Sequence, residues 1–455
     1  MDNKQFYNVT EVLIDIPRVD KPVDITASMY ELVITESIQR TFLTGRITVI
    51  DDKKLYDDFK FSGVWTMDVK IEFSGDAMTN PPQPPIELTF YMRNIRLAQD
   101  INTESRAVVF DLIQPHGFEN NNKKISKSFS GTGPEIIQNI MRQLDVEVDV
   151  SKYVRQDTPI QEEFRYIPPY ISPIAAAEVV KDRLTSIKGS PFFLTTSIFG
   201  DSDSDAGNNI ERVNLISFDA AMRKHPINEA LPYIYSQSQT NYGDIPEAIR
   251  PFIIGSFFEE NLEDTFMFTQ QGGLLNEYES FDTFNGRAID RKVFIGDHLD
   301  KMLVDGILRG NTQTVYDSDY NVEGINPKEV HSITSGRSFE DIHNIHDIKN
   351  GLDATKKIRP MQILTALERN SKKISVRGLG IMLYRMSVGE SIAVRVLDTN
   401  QEKGLKDANG NEGFDVRRSG NYLILETKHI FRFTDHIVNM RIGKLDEMVE
   451  GEGPQ

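Results

Sequence analysis

The chain has 455 residues, 51 basic against 68 acidic, a formal charge of −17 and no cysteine. The length predicts about two to four domains, because single cores stop growing near 250–300 residues. The missing cysteines exclude disulfide scaffolds, cysteine nucleophiles and thiolate metal sites, and the acid excess argues against unspecific phosphate neutralisation.

A hydrophobic content of 39% suffices for ordinary folded cores. Met1-Asp2-Asn3-Lys4-Gln5 opens no apolar run, so no signal peptide is expected. No stretch approaches the ~18 apolar residues of a membrane span, and a soluble protein is expected. The charge reads first as solubility. A sharper reading is a negative channel wall past which DNA slides, although composition does not place those charges.

Residues 1–115 read as nearly all strand. Tyr30–Thr35, Phe42–Ile50, Met67–Phe73, Leu88–Leu97 and Arg106–Ile113 are the runs, and Met67-Asp68-Val69-Lys70-Ile71-Glu72-Phe73 alternates apolar against charged. Pro81, Pro82, Pro84 and Pro85 place a loop or edge between them. A small antiparallel barrel or sandwich is the natural closure. Residues 116–230 form an α/β insert. Gly131-Thr132-Gly133-Pro134-Glu135 signals a helix start, with Ile136, Ile137, Ile140, Met141 and Leu144 on one face. A second helix opens at Ser172-Pro173, and Pro191–Thr196 with Val213–Ser217 predicts a hairpin.

Residues 231–255 read as a connection that returns to the first barrel. Strands resume over 256–296, with Phe266-Met267-Phe268 and Arg291–Ile295 as candidates and Gly272-Gly273 as a turn. The segment 297–370 is a polar helical insert with Asp297 and Ser338 as expected caps and a short helix at Pro360–Leu367. Residues 371–446 supply closing strands: Ile374–Arg377, Ser391–Leu397 and a final hairpin. The last residues, 447–455, read as a frayed tail.

Four constellations carry residue types that could support chemistry. His343 and His346 stand at i and i+3, which could hold a metal or merely flank the stripe of Phe339, Ile342, Ile345 and Ile348. Asp201, Asp203 and Asp205 start a calcium-like loop, but Ala206 and Arg212 occupy the positions that need glycine and glutamate. Asp317, Asp319 and Asn321 fail likewise at Val322 and Lys328. Gly131-Thr132-Gly133 could bind an anion at a helix start, without the lysine of a phosphate loop. His429, in the final strand, could serve as a catalytic histidine, but reads first as a strand histidine satisfied by a cross-strand partner. No nucleophile elbow, zinc-protease helix or kinase signature is present. The expectation is no catalytic, metal or cofactor-binding residue, no cofactor and no enzyme.

Four phrases carry a resemblance. Ser419-Gly420-Asn421-Tyr422-Leu423-Ile424 leads to His429, and His436–Ile442 returns beside it. Near the start, Leu32–Ile38 and Phe42–Asp51 precede Phe61-Ser62-Gly63-Val64. Ile167-Pro168-Pro169-Tyr170-Ile171-Ser172-Pro173 and Leu379-Gly380 with Val388–Val394 follow in order. Together these resemble the baseplate central hub proteins of contractile-tailed phages, a family related to the hub part of type VI secretion spikes. Gly63-Val64-Trp65 departs from the family by lacking an acidic residue.

The resemblance implies a mainly β fold with α+β inserts: two tube-type antiparallel β-barrels plus smaller α/β insert domains. The first barrel would be residues 1–115, completed by strands near 210–255. The second would join 256–296 to 371–446. It implies a structural homotrimer whose six barrels form a pseudo-sixfold ring between a sixfold tail tube and a threefold central spike. Implied partners are the spike trimer, on a separate chain, tail tube or tube-initiator proteins, the tape measure protein and baseplate wedge proteins, with DNA passing through the lumen. Its place would be the virion tail baseplate, assembled in the host cytoplasm. Two alternatives stay open: a peripheral baseplate or glycan-binding β-protein, and a tail-associated cell-wall hydrolase.

Overall fold

The computed structural model describes residues 6–17, 19–51, 64–74, 85–100, 106–150, 163–184, 186, 190–199, 212–236, 250–259, 268, 270–282, 287–304, 311–312, 328–334, 343–344, 351–378, 381–382, 385–397, 414–415, 418–432 and 435–447.

The alternating N-terminal segments become β1 (Phe6–Asp15), β2 (Val23–Asp24), β3 (Met29–Ser37), β4 (Thr44–Asp51), β5 (Thr66–Ser74), β6 (Ile86–Asp100) and β7 (Arg106–Ile113). Their antiparallel order is β2-β1-β5-β6-β7-β4-β3. On β5, Met67, Val69 and Ile71 face a core, whereas Asp68, Lys70 and Glu72 face out, as a period of two requires. Trp65, Phe90, Phe110, Leu32, Ile34 and Ile47 fill that core.

The insert follows with α1 (Pro115–Asn122), β8 (Phe129–Thr132), α2 (Gly133–Met141), β9 (Glu147–Asp149), β10 (Glu163–Tyr166), α3 (Pro173–Lys181), β11 (Phe192–Thr196), β12 (Arg212–Ser217) and α4 (Phe218–Arg223). Its core sets Ile136, Ile137, Ile140 and Met141 of α2 against Ile174, Ala177 and Val180 of α3. β11 and β12 are the expected hairpin pair. β12 also pairs in parallel with β9, so this strand belongs to the insert and does not complete the first barrel.

The remaining strands are β13 (Tyr233–Tyr235), β14 (Ser256–Glu259), β15 (Leu275–Asp282), β16 (Arg287–Phe294), β17 (Asn311–Thr312), β18 (Lys328–Thr334), β19 (His343–Asn344), β20 (Lys372–Arg377), β21 (Ser391–Val396), β22 (Gly420–Arg432), β23 (Asp435–Gly443) and β24 (Asp446–Glu447). Two helices accompany them, α5 (Ile295–Val304) and α6 (Gly351–Arg369). A second barrel runs β13-β21-β22-β23-β20-β14, and an Ile234–Ile253 bridge returns it to β13. β13 pairs β21 in parallel, and the closing bridge is parallel too, so this barrel is mixed at its closure.

Four sequence expectations differ from this arrangement. Residues 233–235 join the second barrel instead of returning to the first, because β21 offers them a free edge. Among the described residues of 256–296, β14 enters that barrel, while β15 and β16 form a separate sheet with β18. The segment 297–370, expected as a polar helical insert, also contributes the strands β17, β18 and β19. The short helix at Pro360 is the second half of α6, which carries Pro360 in its interior. Asp297 lies in the first turn of α5, while Ser338, Phe266 and Met267 lie outside the described residues.

Candidate functional site

The two barrels are joined at one seam, and β22 makes it. Its first residues pair with β21, Ser391 opposite Leu423, while Glu426–Phe431 pair with β3, Glu426 opposite Ser37 and Phe431 opposite Leu32. A register shift between Ile424 and Glu426 marks the change of partner. One sheet therefore runs unbroken from β14 through β22 and β3 to β1. The β22–β23 tip reaches back to the first strand, with Tyr7 and His436 in edge contact at 6.4 Å between ring centroids.

Glu36 lies at this seam, fully buried. Its Oε1 accepts the Ile198 N–H at 2.7 Å and its Oε2 accepts the Val388 N–H at 3.2 Å. One carboxyl group thus ties β3 to the end of the β11 segment and to the approach to β21. Burial pushes the group up to about 7, against the pull of those two backbone donors. Around it, the Thr195 hydroxyl donates to the Ser37 carbonyl at 3.1 Å and the Thr196 hydroxyl to the Thr41 carbonyl at 2.6 Å. Ser197 and Ser387 share a short hydroxyl contact. Nothing in the run Thr35-Glu36-Ser37 distinguishes Glu36 from an exposed strand acid; only its in-register place opposite Thr427 buries it.

His429 is the one weighed residue that the seam contains. Its Nδ1 stands 3.3 Å from His436 Nε2, and the two rings stack with Phe431. Burial holds His429 down at about 3 and His436 well below its ordinary value, the latter also through His429. A cross-strand partner was expected, and the partner is a second neutral imidazole.

The hairpin base explains the Ser-Gly-Asn-Tyr phrase. Gly420 has φ +141°, and an added Cβ would lie 3.2 Å from Lys444 Nζ. The Ser419 hydroxyl accepts the Val396 N–H at 2.9 Å, and the Tyr422 hydroxyl donates to the Arg418 carbonyl at 2.6 Å. Lys444, buried, donates to the Ser419 carbonyl at 2.5 Å and lies over the Tyr422 ring at 5.2 Å.

The other weighed sites do not assemble. Thr132 and Glu135 form a capping box, the Thr132 N–H donating to Glu135 Oε2 at 2.9 Å, so the helix's own carboxylate occupies the place an anion would take. That hydrogen bond holds Glu135 below the usual carboxylate range. His343 lies on β19, but His346, Asp201, Asp203, Asp205, Asp317, Asp319 and Asn321 lie outside the described residues. Among the described residues no group of three metal-ligating side chains gathers, and no helix is long and apolar enough to cross a membrane.

No protein-family model matches the sequence, and no curated protein matches it. Solved structures do. The 43 kDa tail protein of prophage MuSo2 from Shewanella oneidensis aligns over 96% of this chain and 99% of its own, at 11% identity and a TM-score of 0.51. A tail protein from Neisseria meningitidis MC58 aligns over 96% and 97% at 10% identity and a TM-score of 0.48. An E. coli type VI secretion component described as similar to T4 tail proteins aligns over 96% and 77% at 9% identity and 0.39. The first covers both barrels and the insert together, and the fold of this chain is that of a phage tail protein.

Proposed function

We propose that the protein is a structural baseplate hub: a homotrimer whose two barrels per subunit make a pseudo-sixfold ring between a tail tube and a threefold spike. The observation that carries this reading is the single sheet running through both barrels by the β22–β3 pairing. A rigid pair of barrels in one chain is what three copies need to present six similar positions. The function then lies in symmetry matching and passage, with DNA and the tape measure protein crossing the lumen and no residue assigned to catalysis. The spike trimer, tube proteins and surrounding wedge proteins are the partners it calls for, in a virion tail assembled in the host cytoplasm.

Light scattering of the purified chain, followed by class averages in the electron microscope, tests this. Rings of three subunits with an open centre are expected. A monomer at every concentration, unchanged by an added spike trimer, would overturn the reading.

A further inference from the structure

The outer surface of the continuous sheet is not uniformly acidic. Across seven strands, one row of outward positions reads Arg377, Ile437, Ile430, Val33, Arg46, Asp111 and Asn94, each opposite the next. Beside it stand Lys373, Arg441 and Glu426, then Lys428, and on the other side Asp435 with Arg432, Glu31 and Arg96. Basic residues outnumber acidic ones on this face, in a chain whose formal charge is −17. Its ion pairs, Arg46–Asp111, Arg96–Asp111, Arg432–Glu31 and Lys428–Glu426, leave the excess positive.

The opposite wall of the first barrel has the opposite sign. Outward on β1, β5 and the start of β6 stand Glu11, Asp15, Asp68, Glu72 and Glu87, with Lys70 among them. In the order β1-β5-β6-β7-β4-β3, the strands β1 and β5 lie three places from β7 and β4, so the walls point away from each other. A surface and its complement on opposite sides of one subunit suit head-to-tail contact, which closes into rings when the rotation allows.

We propose that the basic sheet face of one copy docks on the acidic β1–β5–β6 wall of a second copy. The inference rests on the ring reading above and names the surfaces that would meet. A protein partner fits the basic face better than nucleic acid does. The middle of the face is the half-buried apolar row Ile437, Ile430 and Val33, with charge around it, which is the anatomy of a protein interface. Complementary charge would fix which face meets which.

Charge reversal tests it. Arg46→Glu with Lys428→Glu inverts the basic face; Asp68→Lys with Glu87→Lys inverts the acidic wall. Exposed ion pairs contribute little to folding, so each variant should retain its fold, checked by circular dichroism. Each double variant alone should weaken assembly, measured by light scattering, by about tenfold or more, and raised salt should weaken the parent likewise. The chain carrying all four substitutions should regain assembly. Rings from the parent that persist in every variant would overturn the inference and leave the hub reading standing. Absence of rings in the parent would instead overturn the hub reading. Loss of binding to a double-stranded DNA oligonucleotide in R46E/K428E, with assembly unchanged, would assign the face to nucleic acid and also overturn it.

Discussion

Thr427 of β22 stands in register opposite Glu36 of β3, and this pair lies where the two barrels share a sheet. Both side chains are fully buried. The acid accepts from two separate chain segments, through the Ile198 and Val388 N–H groups.

Removing that acceptor should cost more than an ordinary surface change. Glu36→Ala leaves two buried N–H groups without partners and opens a void. A loss of about 3 kcal/mol is expected in denaturant unfolding. Glu36→Gln keeps one acceptor and should lose less. A Glu36→Ala chain within about 0.5 kcal/mol of the parent would contradict the role assigned to the seam.

Acid should destabilise the protein through His429 and His436. Both imidazoles titrate lower in the folded chain than the ordinary 6.5, His429 at about 3 and His436 well below its ordinary value, so below pH 6.5 the unfolded chain binds more protons. Their stabilising contribution is present above pH 6.5 and is lost as pH falls through this window, at up to about 1.4 kcal/mol per unit for each proton. Glu36 acts in the opposite sense. Its folded value near 7 lies above 4.5, so its contribution is complete below pH 4.5 and is lost as pH rises through 7. Urea midpoints measured from pH 8 to 4 should fall below pH 6.5, and H429F/H436F, which keeps the stacked rings, should flatten that fall.

Two glycines are held by the side chains beside them. A Cβ at Gly378 would come within 1.9 Å of His436 Nδ1, and one at Gly420 would sit against Lys444 at positive φ. Gly378→Ala should cost about 1–3 kcal/mol by overpacking the hairpin tip. Gly420→Ala should cost about 1–2 kcal/mol through backbone strain. Thermal unfolding of each variant checks both, and a midpoint unchanged in either would show that its neighbour yields freely.

Trp65 is the only tryptophan and is fully buried in the first barrel. Its fluorescence should be blue-shifted in the folded chain and resist acrylamide quenching. Unfolding of that barrel should shift the emission to the red. If the sheet couples the barrels as tightly as the seam suggests, this shift and the loss of far-ultraviolet circular dichroism should coincide. Separate transitions would show that the seam does not make one cooperative unit.

Much of the local structure was legible in the chain. The alternation from Met67 to Phe73 could only suit a strand with one wet face, and Thr132-Gly133-Pro134-Glu135 spelled a capped helix start. The Ser-Gly-Asn-Tyr phrase carried a resemblance before its geometry explained it through Gly420, Ser419 and Tyr422. The two-barrel fold class followed from that resemblance. The candidate site was far less legible: His429 reads from the sequence as a strand histidine, while nothing local marks Glu36 as buried or places the charges of the outer face on one side.

What the sequence determined by itself was periodicity, capping and turn chemistry, because each depends on neighbours a few residues apart. Only the tertiary structure decided that Glu426–Phe431 would pair with Leu32–Ser37, that β13 would join the second barrel, and that β15 and β16 would leave it. Those choices depend on which distant edges meet once loops are closed, and edges of similar alternation look alike along a chain. The same pairing buries Glu36 and keeps Glu426, Lys428 and Ile430 on the outer face, because a one-residue slip of β22 against β3 would exchange the inward side chains of β22 for its outward ones.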